Sequence, residues 1–491
     1  MPTQVAIAIG LILYAVLMPA FSAYWMRKIA QPIDYLVGGR GFSFWVLTGT
    51  ITAGCIGTGV IVGASGLAYR HGWAGSAYPI GLGLGTALTG LGFSSMRRHK
   101  FITLSEEIAA YYGANRIVVE FCNISLFLSQ LCWLTVQIMG GAAVLAAVTA
   151  LPPTACVLAA GLITAAIALP GGVKSVVYTD FIQAIILLCG FTILTWSALE
   201  HSGGWTGLRS AMPPAYFSFL GSASYGGWKI IGLIATLVLA VIADPGRRLS
   251  MYSARTEHGA RGAMVAAGVI VIIFSTVIGI TGMYAFRLNP HLANADQSLL
   301  WLVMNILPAW LAALVVVSVT SGIFSCANWN AMSAGTFFVR HIYPLLTGRQ
   351  PRRPLLMTRL ALGGAFLTAT AAALRAGTIV GFVGKFLPVT MSGLAIIILL
   401  GRFWKRGTYQ GALAALITTP LVSLLIMFTP SPPAYLNQAL VSALVGALAH
   451  VVVSLSTPLP PRSFGDVVAL LNDQRRSGSS TGPANLPGRQ H

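Results

Sequence analysis

Long apolar stretches recur along the chain, separated by short polar joints. They fall at about 4–26, 43–69, 75–96, 117–149, 153–170, 174–199, 228–247, 262–286, 308–339, 354–374, 377–401, 408–429 and 435–457. About 20 apolar residues in helical form cross a bilayer, so the pattern predicts an all-α integral membrane protein with about 13 transmembrane helices. The joints have character of their own. Residues 97–116 carry a capping pattern from Thr103 to Glu106 beside an apolar face, which predicts a short interfacial helix. Residues 200–227, rich in Gly, Ser and Pro, read as an ordered loop at best. Residues 458–491 read as a disordered cytoplasmic tail.

Composition sharpens this picture. Of 491 residues, 56% are hydrophobic and 8% charged, and mean hydropathy is +0.78. A soluble globular chain carries about 25% charged residues, so a soluble enzyme and a disulfide scaffold are both excluded. Six cysteines lie in apolar segments without a CxxC pair and read as small hydrophobes. The net charge of +19 is dispersed between the spans, which argues against a nucleic-acid partner and for the positive-inside rule. With the N-terminus outside, Arg97, Arg98, Lys100, Arg247, Arg248, Arg352, Arg353, Lys405 and Arg406 fall on the cytoplasmic side, as does the C-terminus. Arg70, Arg209, Lys229, Arg287 and Arg375 fall outside, and Lys385 lies within a span. The location expected is the cell (inner or plasma) membrane, multi-pass. No Ser/His/Asp or metal-ligand spacing suggests an enzyme.

Two spans carry the chemistry. Gly54, Gly57, Gly59 and Gly63 crowd the middle of the second, with Thr52 and Thr58 beside them. Unwound backbone survives in lipid only where protein or a watered cavity meets its polar groups, and broken midplane helices are how many secondary transporters expose carbonyls. Close helix packing is the structural alternative. The ninth span holds Ser318, Thr320, Ser321, Ser325, Asn328, Asn330 and Ser333, a polar density that points inward.

With these features the chain resembles the sodium:solute symporter family over about residues 30–415. The resemblance rests on GASGLAYRHG (63–72), FITLSEEIAAYYG (101–113), GGVKSVVYTDFIQA (171–184), DPGRRLSMYSAR (244–255), IFS (323–325) with FFVRHIY (337–343), and LLGRFWKRGTYQGALAAL (399–416). It implies a LeuT-like fold, a 5+5 inverted-repeat core with a broken core helix. The expected organisation is a first helix and cytoplasmic loop at 1–42 and a core at 43–401, with repeats at about 43–199 and 228–401. Two peripheral helices at 402–457 and the tail at 458–491 follow.

The resemblance also implies a Na+ site built from the carbonyls of Ala53, Ile56 and Gly322 and the side chains of Ser325 and Cys326, with Asp180 nearby. The family has Ser or Thr where this chain has Cys326. Sodium is a hard ion that prefers oxygen to a thiol, so the site either borrows another oxygen or no longer binds sodium. Asp180 is either an electrostatic element or a capping acid. On the substrate side the implied positions are Cys55, Thr58, Gly59, Val60 and Tyr78, with Trp133 and Gln137 on span four. A packed Trp133 is the alternative; Cys55, Thr58, Gly59 and Val60, with apolar Ile242 and Ala243 on span seven, are too weakly polar for a sugar site, which needs many partners for many hydroxyls. Lys385 is placed to meet a substrate carboxylate, an acid such as Asp180, or the role of a cation, with snorkelling to the interface as the alternative. The expected function is sodium-coupled symport of a small organic solute, a monocarboxylate or amino acid, into the cell by alternating access. A proton-coupled or uncoupled member, or a sensor module with a degenerate sodium site, is the alternative.

Overall fold

Helix starts follow the polar punctuation of the sequence. Asn115, Asp244, Thr256, Thr378, Thr408 and Asn437 each accept a hydrogen bond from a backbone N–H of the first helical turn that follows. Such caps satisfy donors that the helix itself cannot. In the computed structural model, residues 3–26, 40–149, 151–168, 173–201, 203–349, 351, 353–430, 432–433 and 435–476 are described.

The chain order is α1 (Thr3–Met26), α2 (Phe44–Cys55), α3 (Ser65–His71), α4 (Ala77–Phe93), α5 (Leu104–Tyr111), α6 (Arg116–Val148), α7 (Pro153–Ala168) and α8 (Val173–His201). Then come α9 (Gly227–Ile242), α10 (Pro245–Tyr252), α11 (Glu257–Leu288), α12 (Ser298–Ile306) and α13 (Ala309–Phe337). The last five are α14 (Pro354–Ala373), α15 (Ile379–Phe403), α16 (Tyr409–Phe428), α17 (Gln438–Leu455) and α18 (Phe464–Arg476). Among the described residues, eight helices are long and apolar enough to cross a membrane, or up to ten with two bent pairs counted. The bent pairs are α2 with the helix resuming at Gly59 (54°), and α9 with α10 (48°).

α4 packs along α9 and α11, α2 lies against α8 and α11, and α13 against α1 and α6. α16 and α17 form an antiparallel pair beside α15. Cations gather at one end. There Arg97 Nε donates to the Ala254 carbonyl (2.7 Å), Arg402 Nη2 to Ser95 Oγ (2.7 Å), and Arg98 pairs with Glu257 (3.0 Å). The single β-bridge among the described residues joins Phe42, just before α2, to Ala254, just after α10. It is held by Phe42 N–H to Ser253 carbonyl (3.4 Å) and Arg255 N–H to Phe42 carbonyl (3.1 Å).

Three expectations are corrected. The 97–116 helix forms with its expected cap, Thr103 Oγ1 accepting from Glu106 N–H at 3.3 Å, but α5 is buried in protein rather than lying at an interface. Residues 200–227 contain helical turns at Gly204–Ser210 and Ser222–Tyr225 instead of plain loop. The tail from 458 holds α18, because its average composition hides Ser463 and Asp466 capping each other ahead of Phe464, Val467 and Leu471. Residues 477–491 lie outside the described residues.

Charge counting places Arg248 on the cytoplasmic side, a reading that says nothing of burial. Its side chain is fully buried, with Nη1 3.3 Å from Glu107 Oε1 and the guanidinium 3.8 Å over the Phe93 ring. Glu107 also accepts hydrogen bonds from Tyr111 (2.8 Å) and Tyr252. Arg248 Nη2 donates to the Ile242 carbonyl at 3.3 Å, so the buried charge is held by an ion pair, a ring face and one hydrogen bond.

Candidate functional site at the helix break

α2 ends where Ile56 leaves helical geometry at φ −87°, ψ 59°. Its N–H still reaches the Thr52 carbonyl at 2.9 Å, and the chain resumes with the Val60 and Ile61 N–H groups sharing the Gly57 carbonyl. The glycines permit close approach on separate sides. A methyl at position 54 would meet Arg247 Nη1, at 57 the Cys326 sulfur (3.0 Å), and at 59 the Tyr78 hydroxyl. Carbonyls of the last turn of α2 carry the negative end of its dipole. Two of them are taken by one cation from α10: Arg247 Nη2 donates to the Gly54 carbonyl at 2.7 Å and Nη1 to the Ile51 carbonyl at 3.4 Å.

α13 faces this break. Ser325 and Trp329, four residues apart and so on one face, both donate to buried Asp180 on α8, the indole at 3.2 Å. Gly322 packs so closely that a methyl there would lie 3.3 Å from the Ile56 carbonyl. Cys326 Sγ stands 3.8 Å from the Gly54 carbonyl and 4.0 Å from that of Ala53. Backbone carbonyls, a hydroxyl and a carboxylate are hard oxygen donors, and Gly322 brings both helices within reach of one small ion. The residues therefore fit sodium, short of the one oxygen that Cys326 replaces.

Beside the break lies a cavity of about 70 Å³. Cys55, Gly59, Val60, Tyr78, Trp133, Gln137 and Cys326 line it, together with Thr50, Asp244, Arg247, Ser250, Trp329, Asn330 and Ser333. Thr58 stands behind this wall and donates to Gln137 Oε1 at 2.7 Å. The Tyr78 hydroxyl, Trp133 Nε1 and Arg247 Nε are buried without hydrogen-bond partners; Asp244 lies 3.8 Å from the last. Ala53, Ile56, Gly322, Ser325 and Asp180 sit around the break rather than in the cavity lining.

Lys385 is the residue that does not assemble. It is exposed on α15 and absent from the lining, and its carbonyl accepts from Gln438 Nε2 at 2.7 Å. The cation at the cavity is Arg247 instead. The sequence reading counts Arg247 only among the cations of the cytoplasmic side and gives it no role at the site. The signal that locates it is the second helix break, which the preceding Asp-Pro-Gly creates by capping α10.

The profile of the sodium:solute symporter family matches residues 35–419. The sodium/pantothenate symporter of Escherichia coli is 24% identical over 84% of this chain and 89% of its own. The sodium/glucose cotransporter of Vibrio parahaemolyticus is 22% identical over 87% and 85%. Human high affinity choline transporter 1 is 25% identical over 69% of this chain and 62% of that protein. Among solved structures, a Na+-coupled sialic acid symporter in a substrate-bound outward-open state superposes with TM-score 0.76. It is 16% identical and covers 92% of this chain and 98% of that one. A nucleobase-cation-symport-1 family transporter in a closed conformation gives 0.58 at 12% identity, over 90% and 99%. The fold is the LeuT-like one, and the chain belongs to the sodium:solute symporter family, a family of membrane transporters and not of enzymes.

Proposed function

We propose that the protein moves a small organic solute bearing a carboxylate, of the monocarboxylate or amino-acid class, into the cell together with sodium by alternating access. The observation that carries the solute class is the set of unpartnered groups at the cavity. Trp133 Nε1 and Arg247 Nε are pure donors, and the Tyr78 hydroxyl is free to donate. Buried donors without partners favour an acceptor-rich ligand, and the guanidinium favours an anionic one. The sodium/pantothenate relative and the oxygen donors around Asp180 and Ser325 support sodium as the coupling ion. The cavity wall formed by α10 lies beside the cation-rich end, which the positive-inside rule makes cytoplasmic, so we read this conformation as inward-facing.

Sodium-driven uptake into proteoliposomes tests this directly, with labelled pantothenate, lactate, alanine, proline and glucose offered under sodium or potassium gradients. Accumulation of a carboxylate under sodium alone is the expected result. No ion-driven uptake of any member would refute it. Cys326 favours a second reading, an uncoupled or proton-coupled carrier, which predicts the same solute movement with no dependence on sodium.

A further inference from the structure

We propose that Arg247 is a tethered cation that competes with sodium for the carbonyl end of the first broken helix. The proposal rests on the reading above only for the identity of the ion. Arg247 belongs to α10, the second half of the other bent pair, yet its two terminal nitrogens reach across to the carbonyls of Ile51 and Gly54. The same Gly54 carbonyl stands 3.8 Å from Cys326 Sγ, at the edge of the candidate sodium site. One carbonyl is thus shared between a resident positive charge and the place where a mobile one would sit. Asp244 is 3.8 Å from Arg247, too long for a hydrogen bond, so the guanidinium is only partly neutralised by its own carboxylate.

The rest of the site is also satisfied internally. Ser325 and Trp329 both spend their donors on Asp180. The oxygens of Ser325 and Asp180 still have lone pairs for an ion, so the group that opposes sodium is the guanidinium, which carries like charge. Two unit charges about 6 Å apart at an effective dielectric of about 20 oppose each other by on the order of a hundredfold in affinity. Asp180 and Asp244 offset part of this, leaving about tenfold as the expected effect. An ion on the neighbouring carbonyls of Ala53 and Ile56 repels the guanidinium held at Gly54, so ion binding at one break loosens a contact to the other.

The experiment is sodium binding to purified full-length protein in detergent, read as 22Na+ equilibrium binding and as melting shift in sodium against potassium chloride. Arg247→Gln and Arg247→Met remove the charge; Arg247→Lys keeps it. About tenfold tighter sodium binding in Gln and Met, with Lys within about threefold of the wild type, is the expected result. Unchanged or weaker binding in whichever of Gln or Met folds would overturn the proposal, and so would a Lys variant as tight as both. Absence of any sodium response in all proteins overturns it together with sodium coupling. Tightened binding in the variants with no ion-driven solute uptake by the wild type would instead sink only the transport reading.

Discussion

Glu107→Gln tests whether the buried ion pair beside α10 is balanced as its geometry indicates. In the native protein the Glu107 and Arg248 side chains are wholly excluded from solvent, and Glu107 serves Arg248, Tyr111 and Tyr252 at once. Removing one partner of a buried pair costs about 3–5 kcal/mol, because the other charge is left uncompensated. The Phe93 face touches the guanidinium before and after the substitution and so leaves that cost unchanged. The amide oxygen of Gln still accepts from a tyrosine, so those hydroxyls add little. The net loss expected is therefore about 3–5 kcal/mol. Replacing both charges, Glu107→Gln with Arg248→Met, should return most of it, since an apolar isostere in place of a buried pair is often nearly neutral. A double-mutant cycle from melting midpoints in mild detergent measures the coupling, expected at about 2 kcal/mol. A Glu107→Gln protein as stable as the wild type, or a double variant worse than both single ones, would refute the reasoning.

Other outcomes follow from the same geometry. Cys326→Ser places a hard oxygen near the Gly54 and Ala53 carbonyls, so sodium should protect the variant from heat more than the wild type; at about 100 times the dissociation constant the protection is roughly 2.7 kcal/mol. Thr58→Val strips the donor from Gln137 Oε1 and should lower stability by about 1–2 kcal/mol, while Thr58→Ser should not. Asp296, in the turn before α12, has its carboxyl raised by burial against the pull of the Ile379 N–H and Arg70. An acid with a raised folded value contributes nothing below about pH 4, where both states hold the proton. Stability then falls as pH climbs through the interval up to the folded value. Melting midpoints between about pH 4 and 7 should show this downward slope in the wild type and lack it in Asp296→Asn.

The break in α2 was legible because glycines at 54, 57 and 59 crowd one span beside Thr52 and Thr58, and the structure gives each a different neighbour. Trp133 and Gln137 were legible because i, i+4 spacing on a long helix fixes a shared face, and both line the cavity. The serines of α13 announced polarity, but the carboxylate that Ser325 meets lies on α8, and a contact across 145 residues has no local signature. Arg247 and Arg248 show the limit most clearly. Adjacent residues on one short helix point opposite ways, one to the α2 carbonyls and one to Glu107 on α5. Charge counting treats them as equivalent, and only tertiary packing separates them. Lys385 failed for the converse reason. A cation inside an apolar window implies a partner only if its face turns inward, and at that position α15 turns it outward.

The two-residue bridge between Phe42 and the stretch at Ser253–Arg255 bears on mechanics rather than chemistry. It rivets the entrance of α2 to the exit of α10, so both bent helices share a pivot at the same end. Blades joined by a rivet travel least beside it and furthest at their free ends. Distance labels at residues near Phe42 and Ala254 should therefore barely separate during a transport cycle. Labels beyond the bends, on α3 and the first turns of α9, should carry the full stroke.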